Sequence, residues 1–288
     1  MLTDSTLKRF ASPVVQALVD AIFPPTCRVC GSLFHPPSRK PEKASRSPLR
    51  PPRVKTTGDA FQHCFRDHFA RLVCRPCRER FVSVSSPLCP ACGLMFVSRQ
   101  GRDHLCGRCL QKRFAFDRAR AAGTYEHTLL QLIHQLKYKR RMELVGPLSR
   151  LLSEGAQLFY GADGFEMIVP VPMHPRKLRQ RGFNPAGMLV RAWMKATPGQ
   201  RRNCQVAEGV LFRQRDTVSQ TGLRRSQRWQ NVRGAFGVRD TSSVRIKDKA
   251  ILLVDDVMTT GATADACARA LLNHGAGRID VLTLAQAP

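Results

Sequence analysis

The sequence has few acidic residues for its number of basic ones. Asp and Glu total 21 against 47 Lys and Arg in 288 residues, so the formal net charge is +26. An excess this large predicts an anionic partner, either nucleic acid or a phosphorylated metabolite held in an electropositive cleft. A generally arginine-rich proteome would give the same excess through solvated arginine faces, so charge alone does not choose between these readings.

Long apolar runs are also missing. No stretch approaches the roughly 20 consecutive apolar residues that cross a bilayer, so we predict no integral membrane segment. The segment 7–23 is interrupted by Lys8, Arg9 and Asp20, and it therefore lacks the continuous apolar core of a signal peptide. Its apolar residues recur at helical spacing, which predicts a short docking helix within residues 1–25. We accordingly expect a cytoplasmic protein.

Two common phosphate-binding motifs are absent as well. The chain contains no G-x-x-x-x-G-K-S/T and no G-x-G-x-x-G that opens a helix. This removes the usual sequence evidence for a P-loop or a dinucleotide-binding fold. If the anionic partner is a phosphorylated metabolite, another kind of loop has to bind its phosphate.

One stretch in the last third of the chain carries such an alternative. Its four uninterrupted apolar residues, Ile251–Val254, are typical of a strand that is buried on both faces of a parallel sheet. Asp255 and Asp256 follow at the position where this strand is expected to end. A loop of small residues comes next and consists of Thr259, Thr260, Gly261, Ala262 and Thr263. A helical pattern over 264–273 and a strand pattern over 279–284 complete a strand–loop–helix–strand unit.

The chemistry of this unit suits a phosphorylated sugar. Ligands of parallel α/β sheets bind at the carboxyl ends of the strands. Backbone N–H groups of a glycine-containing turn at a helix start bind phosphate, and threonine hydroxyls add donors. A neighbouring pair of carboxylates can accept hydrogen bonds from two ribose hydroxyls or hold Mg²⁺ through water. The combination fits a 5-phosphorylated ribose, whereas the simpler alternative is a strand end with solvated acids and a threonine N-cap.

Four apolar residues, two acids and a Thr-Thr-Gly loop together resemble the phosphoribosyl pyrophosphate (PRPP) signature of type I phosphoribosyltransferases. The resemblance implies an α/β domain with a parallel sheet, which we assign to residues 113–288. It also implies that Asp255 and Asp256 are the catalytic carboxylates, that the loop 259–263 binds the 5-phosphate, and that Mg²⁺ accompanies PRPP.

A basic loop is predicted at the end of another strand. The short apolar run Met167–Val169 leads through a Pro-rich turn to Arg176, Arg179 and Arg181. In a parallel sheet this loop lies on the same edge as the acidic pair, where its cations could bind a pyrophosphate group. Asn184, which is followed by proline, is placed to cap the next helix.

The polar, basic segment 213–236 shows no clean period and contains Trp229. We predict a mobile flap over the site, because closing such a flap excludes water from a reactive glycosyl donor. The alternatives are a surface excursion in which Arg225 and Arg228 are solvated, or a tryptophan that stacks on a nucleic-acid base.

The first third of the chain is rich in cysteine. Eight of the eleven cysteines form four C-x-x-C pairs, namely Cys27/Cys30, Cys74/Cys77, Cys89/Cys92 and Cys106/Cys109. Because we expect a cytoplasmic protein, such pairs indicate zinc ligands rather than disulfides. Two pairs complete one tetrahedron, so we predict two structural Zn²⁺ ions in a double zinc ribbon over residues 26–112.

The spacing of the pairs leaves two ways to combine them. The third and fourth pairs are 13 residues apart, a gap typical of a ribbon, but 43 residues separate the first pair from the second. We favour sequential pairing, and an interleaved arrangement is the alternative. The long gap holds a basic, Pro-rich stretch at about 35–58, which we predict to be a disordered insertion that is either solvated or binds nucleic acid.

The cysteine-rich segment and the second domain together resemble the ComF/GntX family of bacterial proteins. Besides the cysteine pairs, the motifs that carry the resemblance are Leu136–Tyr138, Val169–Pro172, Arg181–Asn184, Gln220–Leu223, Asn231–Phe236, Asp255–Asp256 and Thr260–Gly261. They span nearly the whole chain, and the resemblance therefore implies the zinc-ribbon module and the phosphoribosyltransferase-like domain together.

The resemblance implies a PRPP-binding protein that is linked to DNA uptake or utilisation in natural transformation and transfers a phosphoribosyl group to an unidentified acceptor. The partners that we predict are PRPP, single-stranded DNA and other DNA-uptake proteins; the prediction of DNA rests on the charge of +26, the basic Pro-rich stretch, the zinc ribbons and Trp229 among arginines. Because some proteins of this fold bind PRPP or nucleotides as regulators, the motifs support binding more strongly than turnover. The alternatives are a non-catalytic single-stranded DNA-binding factor with a regulatory PRPP site, and a scaffold in which both sites are vestigial.

Overall fold

The structure, a computed structural model, describes residues 24–37, 56–98, 100–161, 164–197, 204–216, 225–239 and 246–288. The docking helix predicted within residues 1–25 and most of the insertion predicted at 35–58 lie outside these ranges, as do residues 217–224 of the predicted flap. Within these ranges, no helix combines the length and the apolar composition that crossing a membrane requires.

Parallel strands form the central sheet. In the described residues it consists of β1 (Arg118–Thr124), β2 (Met167–Pro170), β3 (Gln205–Val206), β6 (Ala250–Met258) and β7 (Arg278–Gln286). Their spatial order is β1-β7-β6-β2-β3, and every neighbouring pair is parallel. Two further strands, β4 (Leu211–Arg213) and β5 (Phe236–Val238), form a separate antiparallel pair. The predicted α/β class with a parallel sheet is confirmed.

Helices cover both faces of this sheet. They are α1 (Thr57–Phe69), α2 (Arg75–Glu79), α3 (Gly107–Gln111), α4 (His127–Lys139), α5 (Val145–Tyr160), α6 (Pro175–Arg181), α7 (Pro185–Ala196), α8 (Arg225–Val232) and α9 (Ala262–Leu272), with a 3₁₀ turn at Met142–Leu144. Asn184 caps α7 as predicted, because its Oδ1 accepts a hydrogen bond from the N–H of Ala186 at 3.2 Å.

β6 is buried on both faces, as its apolar run predicts. Leu252 and Val254 pack into a core formed with α1, α4, α5 and α7, whereas Ile251 and Leu253 pack on the other face against α9 and the β4–β5 pair. This alternation follows from the two-residue period of a strand. None of the four residues is more than 1% exposed, so β6 is fixed between two layers and holds the residues that follow it in place.

β6 is longer than expected. The acids lie inside the strand, because β7 pairs with β6 as far as Met258, which stands opposite Gln286. On the other side, pairing with β2 stops at Val254 opposite Pro170. The expectation that the strand ends before Asp255 is therefore wrong on the side of β7, although the acids do lie beyond the end of β2.

The cysteine-rich segment packs against the sheet. Its first half belongs to the same core as α1, and its second half belongs to the core on the opposite face. Between them, the N–H of Val84 donates to the carbonyl oxygen of Ala122 at 3.1 Å, and the N–H of Thr124 donates to that of Val82 at 3.0 Å. These bonds cover the outer edge of β1, which would otherwise expose unpaired backbone groups. The domain boundary at residues 112 and 113 stays a prediction.

Helix α1 was not predicted, although its sequence carries helical signals. Phe61, Phe65 and Phe69 lie four residues apart and are fully buried on one face. Thr56 and Asp59 form a capping box in which each side chain accepts the backbone N–H of the other residue, at 3.2 and 3.1 Å. Because the predicted insertion at about 35–58 includes the cap residue and the first two residues of α1, the prediction misses this start signal.

Candidate functional site

A cleft of about 880 Å³ opens at the carboxyl ends of β2 and β6. The predicted site residues that line it are Asp255, Asp256, Thr259, Thr263 and Arg181. Thr260, Gly261 and Ala262 are buried and complete the loop between the two lining threonines. The acidic pair and the loop thus form one wall of a single cleft.

The predicted basic loop is a helix, α6, and only one face of it meets the cleft. Arg181 and Lys177, four residues apart, line the cleft. Arg176 is exposed and pairs with Asp216, with 3.5 Å between its Nη1 and a carboxylate oxygen. Arg179 is exposed too, and it is not among the described residues of the lining. The 3.6-residue period of a helix explains this division, since positions i and i+4 share a face.

Lys137 of α4 is a partner of the acidic pair that the sequence pattern does not reveal. Its Nζ lies 2.6 Å from Oδ1 of Asp256, and both side chains are largely buried. Burial alone lowers the pKa of Lys137, but the charge and hydrogen bond of Asp256 outweigh burial and leave the pKa above its usual value. The ammonium group therefore stays charged and fixes the Asp256 carboxylate in the cleft.

Asp255 has a different environment from its neighbour. Its Oδ1 accepts a hydrogen bond from the N–H of Asp256 at 2.8 Å. Burial raises the pKa of Asp255 to about 7, the charge of Asp256 adds to this, and Lys137 opposes it. A ligand hydroxyl or a cation beside Asp255 would favour the ionised form, so the pair is suited to a polar, donor-bearing ligand.

The loop before α9 has the geometry of an anion site. Gly261 is the N-cap of α9 with φ of 79°, in the left-handed region that favours glycine. The hydroxyl oxygen of Thr260 accepts the N–H of Ala262 at 3.3 Å, which fixes the turn from inside. Because the free N–H groups and the positive end of a helix dipole lie at such a terminus, the loop is suited to a phosphate group.

We expect Gly261→Ala to destabilise the protein more than Gly275→Ala. Both glycines have positive φ, so each change introduces strain of roughly 1–2 kcal/mol. A Cβ on Gly261 would also lie 2.9 Å from a ring carbon of Phe114, whereas the nearest atom to a Cβ on Gly275 is at 3.8 Å. This overlap adds roughly 1–3 kcal/mol. Urea unfolding measures both variants, and equal losses would show that Phe114 moves aside without cost.

Apart from the two aspartates, the charged lining of the cleft is cationic. It includes Lys137, Arg140, Lys177, Arg181, Arg213 and Arg228. In the described lining these six cations face the two aspartates, so the field favours a ligand with several negative charges. Arg213 and Arg228 come from the segment predicted to be a flap, which places the described part of that segment at the cleft. Its mobility stays a prediction.

The eight paired cysteines form two clusters, and the prediction of sequential pairing is confirmed. One cluster consists of Cys27, Cys30, Cys74 and Cys77, and the other of Cys89, Cys92, Cys106 and Cys109. Within each cluster all four sulfur atoms lie within 4.8 Å of one another.

These clusters fit a tetrahedral metal ion. A tetrahedron with Zn–S bonds of about 2.3 Å has sulfur–sulfur edges of about 3.8 Å. The Cys30–Cys74 and Cys92–Cys106 sulfur distances are 3.8 and 3.6 Å. Burial raises the pKa of the Cys92 thiol to about 12, so a metal ion has to displace its proton. Each cluster could hold one zinc ion with no position left open for water.

The sheet, the loop and the acidic pair define a protein with a phosphoribosyltransferase domain. Residues 205–288 match the family model described as phosphoribosyl transferase domain. That range includes β6, the loop and α9, so the matched domain contains the acidic pair and the loop that form one wall of the cleft.

Longer matches cover 70–75% of the chain. The DNA utilization protein YhgH of Escherichia coli (strain K12) is 33% identical over 219 residues, which cover 74% of this chain and 89% of that protein. Competence protein F of Haemophilus influenzae is 28% identical over 220 residues, 75% of this chain and 90% of that protein. Competence protein ComFC of Bacillus subtilis is 23% identical over 209 residues, 70% of this chain and 79% of that protein. The chain belongs to the ComF/GntX family of competence and DNA-utilisation proteins.

Proposed function

We propose that the protein binds PRPP together with Mg²⁺ in the cleft at the carboxyl ends of β2 and β6. The observation that carries this proposal is that the loop 259–263 and a carboxylate pair lie on one wall of a cleft that six cations also line. PRPP presents a 5-phosphate, a ribose diol and a pyrophosphate, which call for these three kinds of group. The match to a phosphoribosyl transferase domain supports the same ligand.

Each part of the ligand has a proposed binder. The loop 259–263 holds the 5-phosphate through backbone N–H groups and the hydroxyls of Thr259 and Thr263. Asp255 and Asp256 accept hydrogen bonds from the ribose hydroxyls, and the ion pair with Lys137 holds the Asp256 carboxylate in place for that purpose. Arg181 binds the pyrophosphate.

Other cations of the lining can share the pyrophosphate charge. Lys177 and Arg228 line the same cleft as Arg181. Arg176 and Arg179 remain candidates from the sequence alone, and their exposed positions on α6 would let them act on a ligand only at the mouth of the cleft. The carboxylate oxygens of the acidic pair also fit Mg²⁺, a hard cation that takes oxygen ligands and would neutralise part of the pyrophosphate charge.

The proposed reaction is transfer of the phosphoribosyl group to a nucleophilic acceptor. The bond between C1 and the pyrophosphate oxygen breaks, and its electron pair leaves with the pyrophosphate. A lone pair of the acceptor forms the new bond at C1, and the acceptor releases its proton to solvent. Because the sugar passes through a cationic state, positioning and charge stabilisation carry the reaction and no nucleophilic side chain is needed. We propose that this chemistry, or PRPP binding alone, serves the use of external DNA by the cell.

We further propose that each cysteine cluster holds one structural Zn²⁺. All four ligands of each site are protein thiolates, so the ions would fix the fold and take no part in the reaction. One ion would support the core around α1, and the other would support the segment that leads into β1.

Calorimetry with PRPP and with its two halves, ribose 5-phosphate and pyrophosphate, tests the proposal. Ribose 5-phosphate should bind through the loop and the acidic pair, and pyrophosphate should bind through the cations. Each should compete with PRPP and bind at least roughly tenfold more weakly, because PRPP joins both sets of contacts. If pyrophosphate binds as tightly as PRPP, the cleft is a general polyanion site and the proposal fails.

A second candidate, binding of single-stranded DNA, is favoured by the net charge of +26. Phosphate contacts of this kind release counterions, so the affinity for an oligonucleotide should fall steeply as salt rises. Measuring that slope with and without PRPP separates the two candidates. An unchanged slope means separate sites, whereas loss of DNA binding on addition of PRPP means that DNA phosphates occupy the cleft.

A further inference from the structure

Trp229 of α8 contacts two residues of the segment that follows the second cysteine cluster, and these two residues, Lys112 and Phe114, form the slot in which it lies. Its ring stacks on Phe114, with 5.9 Å between ring centroids. The Nζ of Lys112 lies 3.5 Å from the centroid of the tryptophan ring, which is the geometry of a cation–π contact. Trp229 is partly buried against the core that also contains Cys89, Cys92 and Cys106.

The Phe114 side of the slot is connected to the phosphate-binding loop. Phe114 is buried, stacks on Phe116 at 4.6 Å, and covers Gly261 so closely that no Cβ fits between them. The next residue, Ala115, donates its N–H to Oδ1 of Asp265 in the first turn of α9 at 2.7 Å. Residues 114–116 are therefore fixed on the loop and on the helix that begins there.

The Lys112 side of the slot is connected to the cysteine cluster. Lys112 is the C-cap of α3, and its N–H donates to the carbonyl oxygen of Arg108 at 2.9 Å. Cys106 is the N-cap of the same helix, which also carries Cys109. A tetrahedral site that fixes these two cysteines would therefore fix Lys112 as well.

We infer that Trp229 is a positioning residue for PRPP: by docking on Lys112 and Phe114 it holds α8 against the phosphate loop and places the adjacent Arg228 in the cleft. The inference rests on the proposed function, because it assigns Arg228 to the same anionic ligand. It also gives the second cysteine cluster a role beyond folding, since the cluster supports one side of the slot.

The test compares Lys112→Gln with Arg113→Gln. Both residues are exposed, and each change removes one positive charge, so both variants lose the same long-range attraction for an anion. Only Lys112 lies on the tryptophan ring, and the described residues show no ring or ion-pair contact for Arg113. By calorimetry, Lys112→Gln should weaken PRPP binding about threefold relative to Arg113→Gln, the size expected of an exposed cation–π contact.

Trp229→Ala and Trp229→Phe provide the second comparison. Losing the ring should weaken PRPP binding about tenfold, as expected for removal of a stacked aromatic and a cation–π contact. Phenylalanine keeps a ring in the slot and should restore most of that affinity. Wild-type affinity in Trp229→Ala, or equal affinities in Lys112→Gln and Arg113→Gln, would overturn the inference.

Acrylamide quenching of tryptophan fluorescence measures how well Trp229 is docked when no ligand is present. The chain has two tryptophans, and Trp193 is only 1% exposed, so quenching reports mainly on Trp229. Quenching should rise in Lys112→Gln and stay at the wild-type level in Arg113→Gln. If the wild type binds no PRPP, the proposed function fails. Even in that case, equal quenching in Lys112→Gln and Arg113→Gln would overturn the docking of Trp229 on Lys112.

Discussion

Asp256→Asn is expected to weaken PRPP binding about 100-fold or more. The change removes a charged acceptor for the ribose hydroxyls and leaves the ammonium group of Lys137 without its partner at 2.6 Å. Asp248→Asn is the matched control, because Asp248 is an exposed acid beside the opposite end of β6 and its change alters the net charge equally. Calorimetry should show wild-type affinity for the control, and equal losses in both variants would contradict a specific role for Asp256.

The same change also affects stability, and a double variant separates the two effects. Removing one partner of a buried ion pair costs about 3–5 kcal/mol, whereas replacing both partners with uncharged residues is often close to neutral. Lys137→Met/Asp256→Asn should therefore recover most of the unfolding free energy that Asp256→Asn loses. It should not recover PRPP binding, since the carboxylate is still missing. Recovery of both would show that Asp256 acts only through folding.

Cys92→Ala is expected to remove one of two zinc ions per chain and to cause the largest loss of stability among single changes. Apparent binding free energies of structural zinc are about 10–16 kcal/mol, and that energy contributes to folding. Cys64→Ala is the control, because Cys64 is also a buried thiol but lies outside both clusters.

Metal content by atomic absorption and thermal unfolding check this prediction. The control should keep two zinc ions per chain and lose only the stability of a small core substitution, roughly 1 kcal/mol. Cys74→Ala should in turn remove one zinc ion while leaving the second cluster loaded. Two zinc ions in Cys92→Ala, or no zinc in the wild type, would contradict the assignment of the clusters.

Local patterns in the sequence were sufficient for the β6–loop–α9 unit and for the cysteine clusters. Each of these depends on residues that are close in the chain: an apolar run, a turn with Gly261, and two thiols on one turn. The apolar run of β6 predicts burial on both faces, and each of its four residues is at most 1% exposed. The ribbon-sized gap between Cys92 and Cys106 favoured the sequential combination of the pairs, and the structure decides against the interleaved one.

Features that depend on distant packing could not be predicted in this way. Lys137 and Asp256 are 119 positions apart. The motif Leu136–Tyr138 distinguishes Lys137 from the other cations that end α4, but nothing in it identifies Asp256 as the partner. The end of β6 depends on how far β7 continues beside it. Arg181 and Arg179 lie on different faces of α6, and this difference becomes visible once the helix is placed against the cleft.

The most direct test of the account is an experimental crystal structure of the protein with PRPP and Mg²⁺. We predict the 5-phosphate at the loop 259–263, the ribose beside Asp255 and Asp256, and the pyrophosphate towards Arg181. We also predict an anomalous zinc signal at each cysteine cluster. PRPP bound elsewhere, or a cleft that stays empty at saturating ligand, would contradict it and leave the cationic surface as a site for nucleic acid.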